Sequence, residues 1–579
     1  MPDTVEVGMT SKGKLAIRAP FRFNSHIRAI PARLNKNTGI WTAPFLRGSI
    51  RAVEALKKFP DTEVRISPAA QKAIDEYEAR LKIAEEGFPP RYVFKTEPLP
   101  HQRRTLDFIW PRKAAALGLA MGVGKSKISI DTGAARYLAG QIQQMGVICP
   151  ASLVSTWCEE VVKHCPIKAK VYIDLPPAPE PDIFQIYIAS VEGLGISIKS
   201  FEKMSDFVMR APTLLVCDES SYIKEQSAIR SQRAHLLGGA AEYRMILNGT
   251  LIGNSPLDLW SQYEFIDRNI IGQEWYDFRA QHAIMGGFEG KQVLGTHHME
   301  EVIEAVAPWT IIIKKSEVLK DLPPKLYEHH EITTSTEQKA LIKEIKSKPL
   351  HIDLPADMAP PGASIKTRMA LERILRQSQI AAGFVSYSEV IKDPLSGEYT
   401  ERVSTARLKS SPKTDEMMKI IEQIDVRIED KVVIWCVFTE EIRMVQERLA
   451  AAYGPASVVT FYGAMTDEEK DDARHRLQGD PSCRFFVGNI AVGAMGLTLT
   501  AASYEIYHSN SFSYLKRTQS EDRLHRIGQK NAVTVIDIIV KGSADELIYE
   551  AIAAKKDVAD WITDSIHSAR LRQLGLTEC

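Results

Sequence analysis

The 579-residue chain is too long for one hydrophobic core, and its length predicts roughly three to four domains. Apolar residues make up 44% and charged residues 25%, and no run of about 18 apolar residues occurs, which excludes a bundle of membrane-spanning helices. Basic and acidic residues each number 73, so an even spread of charge would leave no field to attract a polyanion.

The charge is not spread evenly. Residues 11–60 hold eleven Lys or Arg (12, 14, 18, 22, 28, 33, 36, 47, 51, 57, 58) against Glu54 alone, a local net of 11 − 1 = +10. That density favours a polyanion through counterion release, with a solvated basic face as the alternative. Inside it, KLAIRAPF and GIWTAP read as strands around an NKNTG turn, and GSIRAVEALKKF reads as an amphipathic helix ended by Pro60. The opening MPDTVEVGMTSKGK lacks an apolar signal core, so a location inside the cell is expected. Seven cysteines form no C-x-x-C pair and read as reduced, buried thiols rather than metal ligands. Residues 69–86 read as a charged helical connector.

From about residue 93, buried-strand patterns alternate with helices: MGVICP (145–150), FQIYIAS (184–190), TLLVCDE (213–219) and YRMILNGT (243–250). Such alternation predicts a parallel sheet with crossover helices. Residues 261–410 break the rhythm, with LPPK at 322–325 and LPADMAPPG at 354–362, and read as an insertion and hinge. The alternation resumes in KVVIWCVF (431–438), SVVTFYG (457–463), CRFFVGN (483–489), YEIYHS (504–509) and VTVIDIIV (533–540), predicting a second α/β domain. The domain plan is then a basic module at 1–60, a connector at 61–92, a first lobe at 93–260, the insertion at 261–410, a second lobe at 411–545 and a closing helix at 546–579.

LAMGVGKS (119–126) has the make-up of a phosphate loop. Backbone N–H groups of Met121, Gly122, Val123 and Gly124, with the helix terminus that follows, can cradle an anion. Lys125 would reach the β and γ phosphates of a nucleotide and Ser126 would hold Mg²⁺. TLLVCDE delivers Asp218, suited to Mg²⁺, and Glu219, suited to orienting the attacking water, at a strand end where phosphate-site carboxylates belong. An Asp-Glu pair alone also reads as a turn, but loop and pair together favour nucleotide hydrolysis. In QSEDRLHRIGQK (519–530), spacings of four and three put Gln519, Arg523 and Arg526 on one face of an expected helix. Two arginine forks on one face suit a transferring phosphoryl group, and surface ion pairs to Glu521 and Asp522 are the alternative.

Over residues 97–550 these segments, in this order, resemble the Swi/Snf-type ATPases of helicase superfamily two. LPHQRRTLDFI (99–109) is similar to the adenine-recognition motif, PASLVSTWCEE (150–160) to motif Ia, DESSYIK (218–224) to the Asp-Glu-Ala-His box and RMILNGTLIGNSPLDLW (244–260) to motif III. IIIKKSEVLKDLPPK (311–325) resembles the segment closing the first lobe. KVVIWCVFTEEIRMVQERL resembles motif IV, AVGAMGLTLTAA (491–502) motif V and QSEDRLHRIGQK motif VI. The resemblance implies an α/β fold of two RecA-like parallel-sheet lobes with a helical inter-lobe insertion and a small basic α+β amino-terminal module. It also implies a DNA-stimulated ATPase that tracks along duplex DNA using ATP and Mg²⁺. Gln102 would read adenine, Gly496 would lie at the nucleotide, and Arg523 and Arg526 would act as arginine fingers with Gln519 coupling them to the γ phosphate. Ser155, Thr156, Trp157, Asn248, Gly249 and Thr250 would line the DNA on the first lobe, and Thr439, Gly463, Thr498 and Phe512 on the second.

The chain departs from the family at Leu119 and Ala120 before the loop, at Ser220 and Ser221 where the box has Ala-His, and at Asn248 where motif III has Thr. These changes leave Lys125, Asp218 and Glu219 in place and bear on how hydrolysis is coupled to movement. IRAIPARLNKNTGIWTAP is similar to the small domain of HepA-related annealing helicases, which implies branched or forked DNA as the partner. The expectation is a monomeric bacterial- or phage-type translocase in the cytoplasm or nucleoid, working with replication or repair proteins and no membrane. A motor that displaces DNA-bound proteins and a catalytically weak DNA-binding scaffold are the alternatives.

Overall fold

Parallel strands are covered on both faces and read as near-continuous apolar runs, which is the pattern of both predicted lobes. The computed structural model describes residues 3–573 apart from 11–13, 29–31, 37, 44–46, 76–86, 179, 181, 250, 252–254, 287–291, 320–321, 348–350, 354–363, 367–369, 393–398, 425–430 and 494–496. The chain divides into two compact units, one of residues 1–252, 256–314 and 561–579, the other of residues 253–255 and 315–560.

The first unit opens with β1 (Asp3–Met9), β2 (Leu15–Arg18), β3 (Arg33–Asn35), β4 (Ile40–Ala43) and β5 (Thr62–Ile66), in the order β3-β4-β2-β1-β5. Alternation sends Val5, Val7, Leu15, Ile17, Trp41 and Ala43 to one face, where they pack with Ile50, Val53 and Leu56 of the helix Arg47–Leu56. This module has three strands more than expected. It also extends beyond residue 60, because β5 pairs in parallel with β1 from Asp3↔Thr62 to Val7↔Ile66. The added segments bring in Asp3, Glu6, Asp61 and Glu63, so residues 3–66 carry 12 − 5 = +7 rather than +10. Arg22 pairs with Asp3 at 2.6 Å and Arg18 with Glu6 at 3.6 Å.

The same unit contains β6 (Ala114–Leu119), β7 (Gln144–Cys149), β8 (Ala169–Tyr172), β9 (Phe184–Ser190), β10 (Thr213–Asp218), β11 (Tyr243–Asn248), a hairpin of β12 (Ala283–Gly286) and β13 (Gln292–Thr296), and β14 (Thr310–Ile313). Its seven-stranded sheet runs β14-β6-β11-β10-β7-β9-β8, every neighbouring pair parallel. Crossover helices bring β6, β10 and β11 side by side, so that their carboxyl ends share one edge.

In the second unit, β15 (Lys325–Ile332), β20 (Lys431–Cys436), β21 (Val458–Phe461), β22 (Phe485–Asn489), β23 (Ala502–Tyr507) and β24 (Val533–Val540) form a parallel sheet in the order β15-β24-β23-β20-β22-β21. Val432 and Ile434 enter the core on one face, Val433 and Trp435 the core on the other. The remaining strands, β16 (His351–Asp353), β17 (Ser364–Lys366), β18 (Phe384–Lys392) and β19 (Tyr399–Arg407), form a four-stranded antiparallel sheet. The expected helical insertion at 261–410 is therefore corrected. Among the described residues it holds, besides helices, eight strands, of which β14 and β15 are edges of the two parallel sheets. The helix Ala544–Gln573 occupies the expected closing segment. Among the described residues no helix is long and apolar enough to cross a membrane.

Candidate active site

β6 ends at Leu119, and the loop after it turns into the helix Lys125–Leu138 through Gly124, which caps the helix at φ 89°. A side chain there would be strained by the left-handed backbone, and its Cβ would lie 2.3 Å from Gln102 Nε2. Lys125 Nζ donates to the Leu119 carbonyl at 3.1 Å, across the mouth of the loop. Met121 and Ser126 are half-buried, Gly122 is exposed and Val123 is buried. Gln102 braces this loop: its Nε2 donates to the Val123 carbonyl at 3.0 Å, and its Oε1 accepts from the Leu99 N–H at 3.0 Å. A His101 ring nitrogen lies 2.9 Å from the same Val123 carbonyl. Each end of the Gln102 amide thus makes one bond within the protein.

Asp218 closes β10, with 6% of its surface exposed. Its carboxylate accepts the Trp157 indole N–H at 2.9 Å and the Glu219 backbone N–H at 2.9 Å. Burial raises the Asp218 carboxyl above its ordinary value, against the opposing pull of the Lys125 ammonium and the Trp157 and Glu219 donors. A desolvated carboxylate held near a lysine is a group that a divalent cation relieves, and the hard oxygens of Asp218 and Ser126 fit Mg²⁺. Glu219 follows in a left-handed backbone at φ 48°, the strained conformation found at functional sites. Beside them, a Cβ on Gly249 would lie 3.2 Å from Met121 Cγ and 3.8 Å from Lys125 Nζ, so motif III touches the phosphate loop directly. The ends of β6, β10 and β11 thus gather Lys125, Asp218 and Gly249.

Two expected DNA contacts are buried. Trp157 is 1% exposed, because its ring faces the core side of the helix Val154–His164 and its N–H belongs to Asp218. Asn248 is 0% exposed, with Nδ2 donating to Ser220 Oγ at 3.4 Å. Position in the motifs pointed to nucleic acid at both residues, and both side chains lie in the interior. Gly249 faces the phosphate loop, whereas Ser155 and Thr156 are exposed at the start of their helix. Thr250 and Gly496 lie outside the described residues.

In the second unit, Ser513 caps the helix Tyr514–Leu524, its hydroxyl accepting from the Lys516 N–H. The helix stops at Leu524, since His525 leaves helical geometry at ψ 77° and Gly528 turns at φ 101°. Arg526 is therefore not on the helix with Gln519 and Arg523. The two arginines nevertheless converge on motif V: Arg523 Nη1 lies 3.4 Å and Arg526 Nη1 3.1 Å from the Leu497 carbonyl, and Arg526 also donates to Thr498 Oγ1 at 3.0 Å. Gln519 is buried alongside. Gln529, in motif VI, ties the turn down by donating to the Ala502 carbonyl at 2.8 Å.

Glu521 and Asp522, which precede Arg523 on the helix, are held by Lys325, Arg517 and Lys315. Glu521 binds Lys325 at 2.9 Å and Arg517 at 2.8 Å, while Asp522 binds Lys315 at 2.6 Å. Arg517 completes the network through both oxygens of Asp537 at 2.6 and 2.8 Å. Of the remaining expected DNA contacts, Thr439 and Gly463 are exposed, Thr498 is half-buried under Arg526, and Phe512 is half-buried with its carbonyl accepting from Lys555 Nζ at 2.7 Å.

One buried cluster has metal-ligand chemistry. Cys436, Glu441 and His508 offer ligand atoms within 4.8 Å of one another. His508 spends Nδ1 on Glu441 and Nε2 on Thr414 at 3.1 Å, and Glu441 also accepts from Ser509 at 2.7 Å and the Val437 N–H at 3.1 Å. Hydrogen bonds occupy Glu441 and His508, and the cluster holds together the carboxyl ends of β20 and β23. The six described cysteines are unpaired thiols.

Known proteins are similar to this chain. The SNF2-related domain matches residues 101–381 and the helicase conserved C-terminal domain residues 412–528. The TATA-binding protein-associated factor mot1 of Schizosaccharomyces pombe is 24% identical over 473 residues, covering 74% of this chain and 24% of that protein. The TATA-binding protein-associated factor 172 of Homo sapiens is 23% identical over 467 residues, 74% of this chain and 25% of its own length. The DNA annealing helicase and endonuclease ZRANB3 of Bos taurus is 23% identical over 472 residues, 79% of this chain and 40% of that protein. This chain therefore spans about a quarter of the first two relatives and two fifths of the third. Among solved structures, the Sulfolobus solfataricus SWI2/SNF2 ATPase core in complex with dsDNA aligns with a TM-score of 0.37 at 23% identity, covering 84% of this chain and 98% of that one.

Proposed function

Because this chain belongs to the Swi/Snf-type ATPases of helicase superfamily two, we propose that it hydrolyses ATP with Mg²⁺ and uses the reaction to move along duplex DNA, remodelling branched or forked DNA. The observation that carries the reading is the gathering of Lys125, Asp218 and Gly249 at the ends of three adjacent parallel strands, where α/β sheets bind phosphates. Bound Mg²⁺ would supply charge neutralisation at the β and γ phosphates, held through Ser126 and Asp218. Lys125 would leave the Leu119 carbonyl for the phosphates, and Glu219 would orient the attacking water. Arg523 and Arg526 would exchange the Leu497 carbonyl for the γ phosphate.

Ser155, Thr156, Thr439 and Gly463, exposed beside the motifs, are proposed to hold the phosphodiester backbone without reading sequence. The basic amino-terminal module is proposed to favour forks. On the same reading the protein acts as a monomer in the cytoplasm or nucleoid, beside replication or repair proteins. The test compares ATP turnover with no nucleic acid, single strands, linear duplex and forked duplex. Duplex or forked DNA is expected to raise turnover strongly and Lys125→Ala to abolish it; turnover indifferent to DNA would contradict the reading. A second reading, displacement of DNA-bound proteins, is favoured by the similarity to TATA-binding protein-associated factors. Clearance of a protein roadblock without fork reversal would select it.

A further inference from the structure

The box departs from its family at Ser220 and Ser221, and motif III departs at Asn248. In the structure two of these three residues meet each other, and one of them, Ser220, also bonds Gln262, which no motif contains. Ser220 Oγ donates to Gln262 Oε1 at 2.6 Å and lies 3.4 Å from Asn248 Nδ2. Gln262 sits on the helix Asp258–Asp267, and its Nε2 donates to the Leu251 carbonyl at 2.7 Å and the Asp258 carbonyl at 3.0 Å. Ser220, Asn248 and Gln262 are each 0% exposed. The Ser221 hydroxyl, in the last box position, has no hydrogen-bond partner, so the connection passes through Ser220. The same helix holds the box at two more points: Ser261 Oγ donates to the Ile223 carbonyl at 2.5 Å, and Lys224 pairs with Asp258 at 3.3 Å.

A buried glutamine with its carbonyl oxygen and both amide protons engaged has one orientation. Here that orientation fixes the residue directly after Glu219 and the motif III backbone beyond Asn248. Glu219 holds a strained left-handed backbone, which persists only where its surroundings over-determine it. We propose that Gln262 is a positioning residue which, through Ser220, holds the Glu219 carboxylate in place and ties the box to motif III, the link for which this chain lacks the family's box histidine. The inference rests on the ATPase reading of the same site. It assigns Gln262 to the hydrolytic step and not to nucleotide affinity, since none of its hydrogen bonds reaches the phosphate loop.

The experiment measures kcat and KM for ATP at saturating duplex DNA for the full chain and for Ser220→Ala, Gln262→Met and the double variant. Each single variant is expected to lose at least tenfold in kcat with KM within about twofold. The double variant is expected to be no worse than the poorer single one, as for residues that act as a unit. An unchanged kcat in Ser220→Ala, which removes one hydroxyl and keeps the fold testable if Gln262→Met is unstable, would overturn the proposal. Losses that multiply in the double variant, or a rise in KM that accounts for them, would overturn it equally. An inactive wild-type chain would instead remove the ATPase reading, an outcome visible before any variant is compared.

Discussion

Trp157 gives its indole N–H to Asp218 at 2.9 Å, and this bond makes a residue that resembled a DNA contact a support for the carboxylate proposed to hold Mg²⁺. Trp157→Phe keeps the ring in the core and removes only the donor. A hydrogen bond to a charged group contributes about 1.5–3 kcal/mol, so kcat/KM for ATP is expected to fall at least about tenfold. Binding of duplex DNA, measured by fluorescence anisotropy without nucleotide, should stay unchanged. Weakened DNA binding with intact turnover at saturating DNA would return Trp157 to the nucleic-acid surface.

Arginines on one short segment divide into two kinds. Arg517 lies over the Tyr507 ring at 3.5 Å and is locked to Asp537 and Glu521, whereas Arg523 and Arg526 rest on the Leu497 carbonyl. Breaking a buried ion pair costs about 3–5 kcal/mol, so Arg517→Ala is expected to lower the melting temperature by roughly 10 °C. Arg523→Lys and Arg526→Lys keep the charge and lose the planar fork. Their turnover should fall by about 10³-fold with nucleotide binding nearly intact. Equal thermal losses in all three variants, with turnover preserved in the lysine variants, would show that the segment is only structural.

The buried centres of both sheets were legible because strands covered on both faces are apolar throughout. β9 (Phe184–Ser190) and β24 (Val533–Val540) occupy the residues that the sequence predicts. Strands of mixed patterning were not legible. KLYEHHEI in β15 and DTVEVGM in β1 mix polar with apolar residues, and their membership is decided by pairing with β24 and with β2 and β5. The arginine spacing was legible, but the end of the helix depended on the backbone at His525 and Gly528. The burial of Trp157 and Asn248 was not legible because motif position does not record burial. Gln262 carried no signal, since a lone glutamine on a helix reads as surface until its partners are known.

Acid should unfold the second unit through Glu521. Burial alone would raise its carboxyl, but Lys325 and Arg517 outweigh burial and bring it from 4.5 down to about 2. A depressed carboxylate stabilises the fold above its unfolded pKa, and that contribution fades as pH falls from about 4.5 towards 2, a loss of roughly 3 kcal/mol. Lys315 works in the opposite sense: burial, opposed by Asp522, lowers it to about 8, so its burden on the fold is relieved as pH rises from about 8 towards 10.5. Melting temperatures across these windows should show both slopes, with Lys325→Met flattening the acid one. An acid slope unaltered by that substitution would assign it to other carboxyls.

Gly124 and Gly140 offer a comparison of strain with function on the two ends of one helix. Both have positive φ, 89° and 68°, but a Cβ at Gly140 meets nothing within 4 Å, while one at Gly124 meets Gln102 Nε2 at 2.3 Å. Gly140→Ala therefore adds only the left-handed penalty of about 1–2 kcal/mol. Gly124→Ala adds the same penalty and must also displace Gln102, whose bond to the Val123 carbonyl shapes the loop. The two variants are expected to melt within a few degrees of each other. Only Gly124→Ala should lose nucleotide affinity, by at least tenfold when measured calorimetrically with a non-hydrolysable ATP analogue. Equal affinities would mean that the loop tolerates the displacement of Gln102, and that its backbone shape does not depend on that bond.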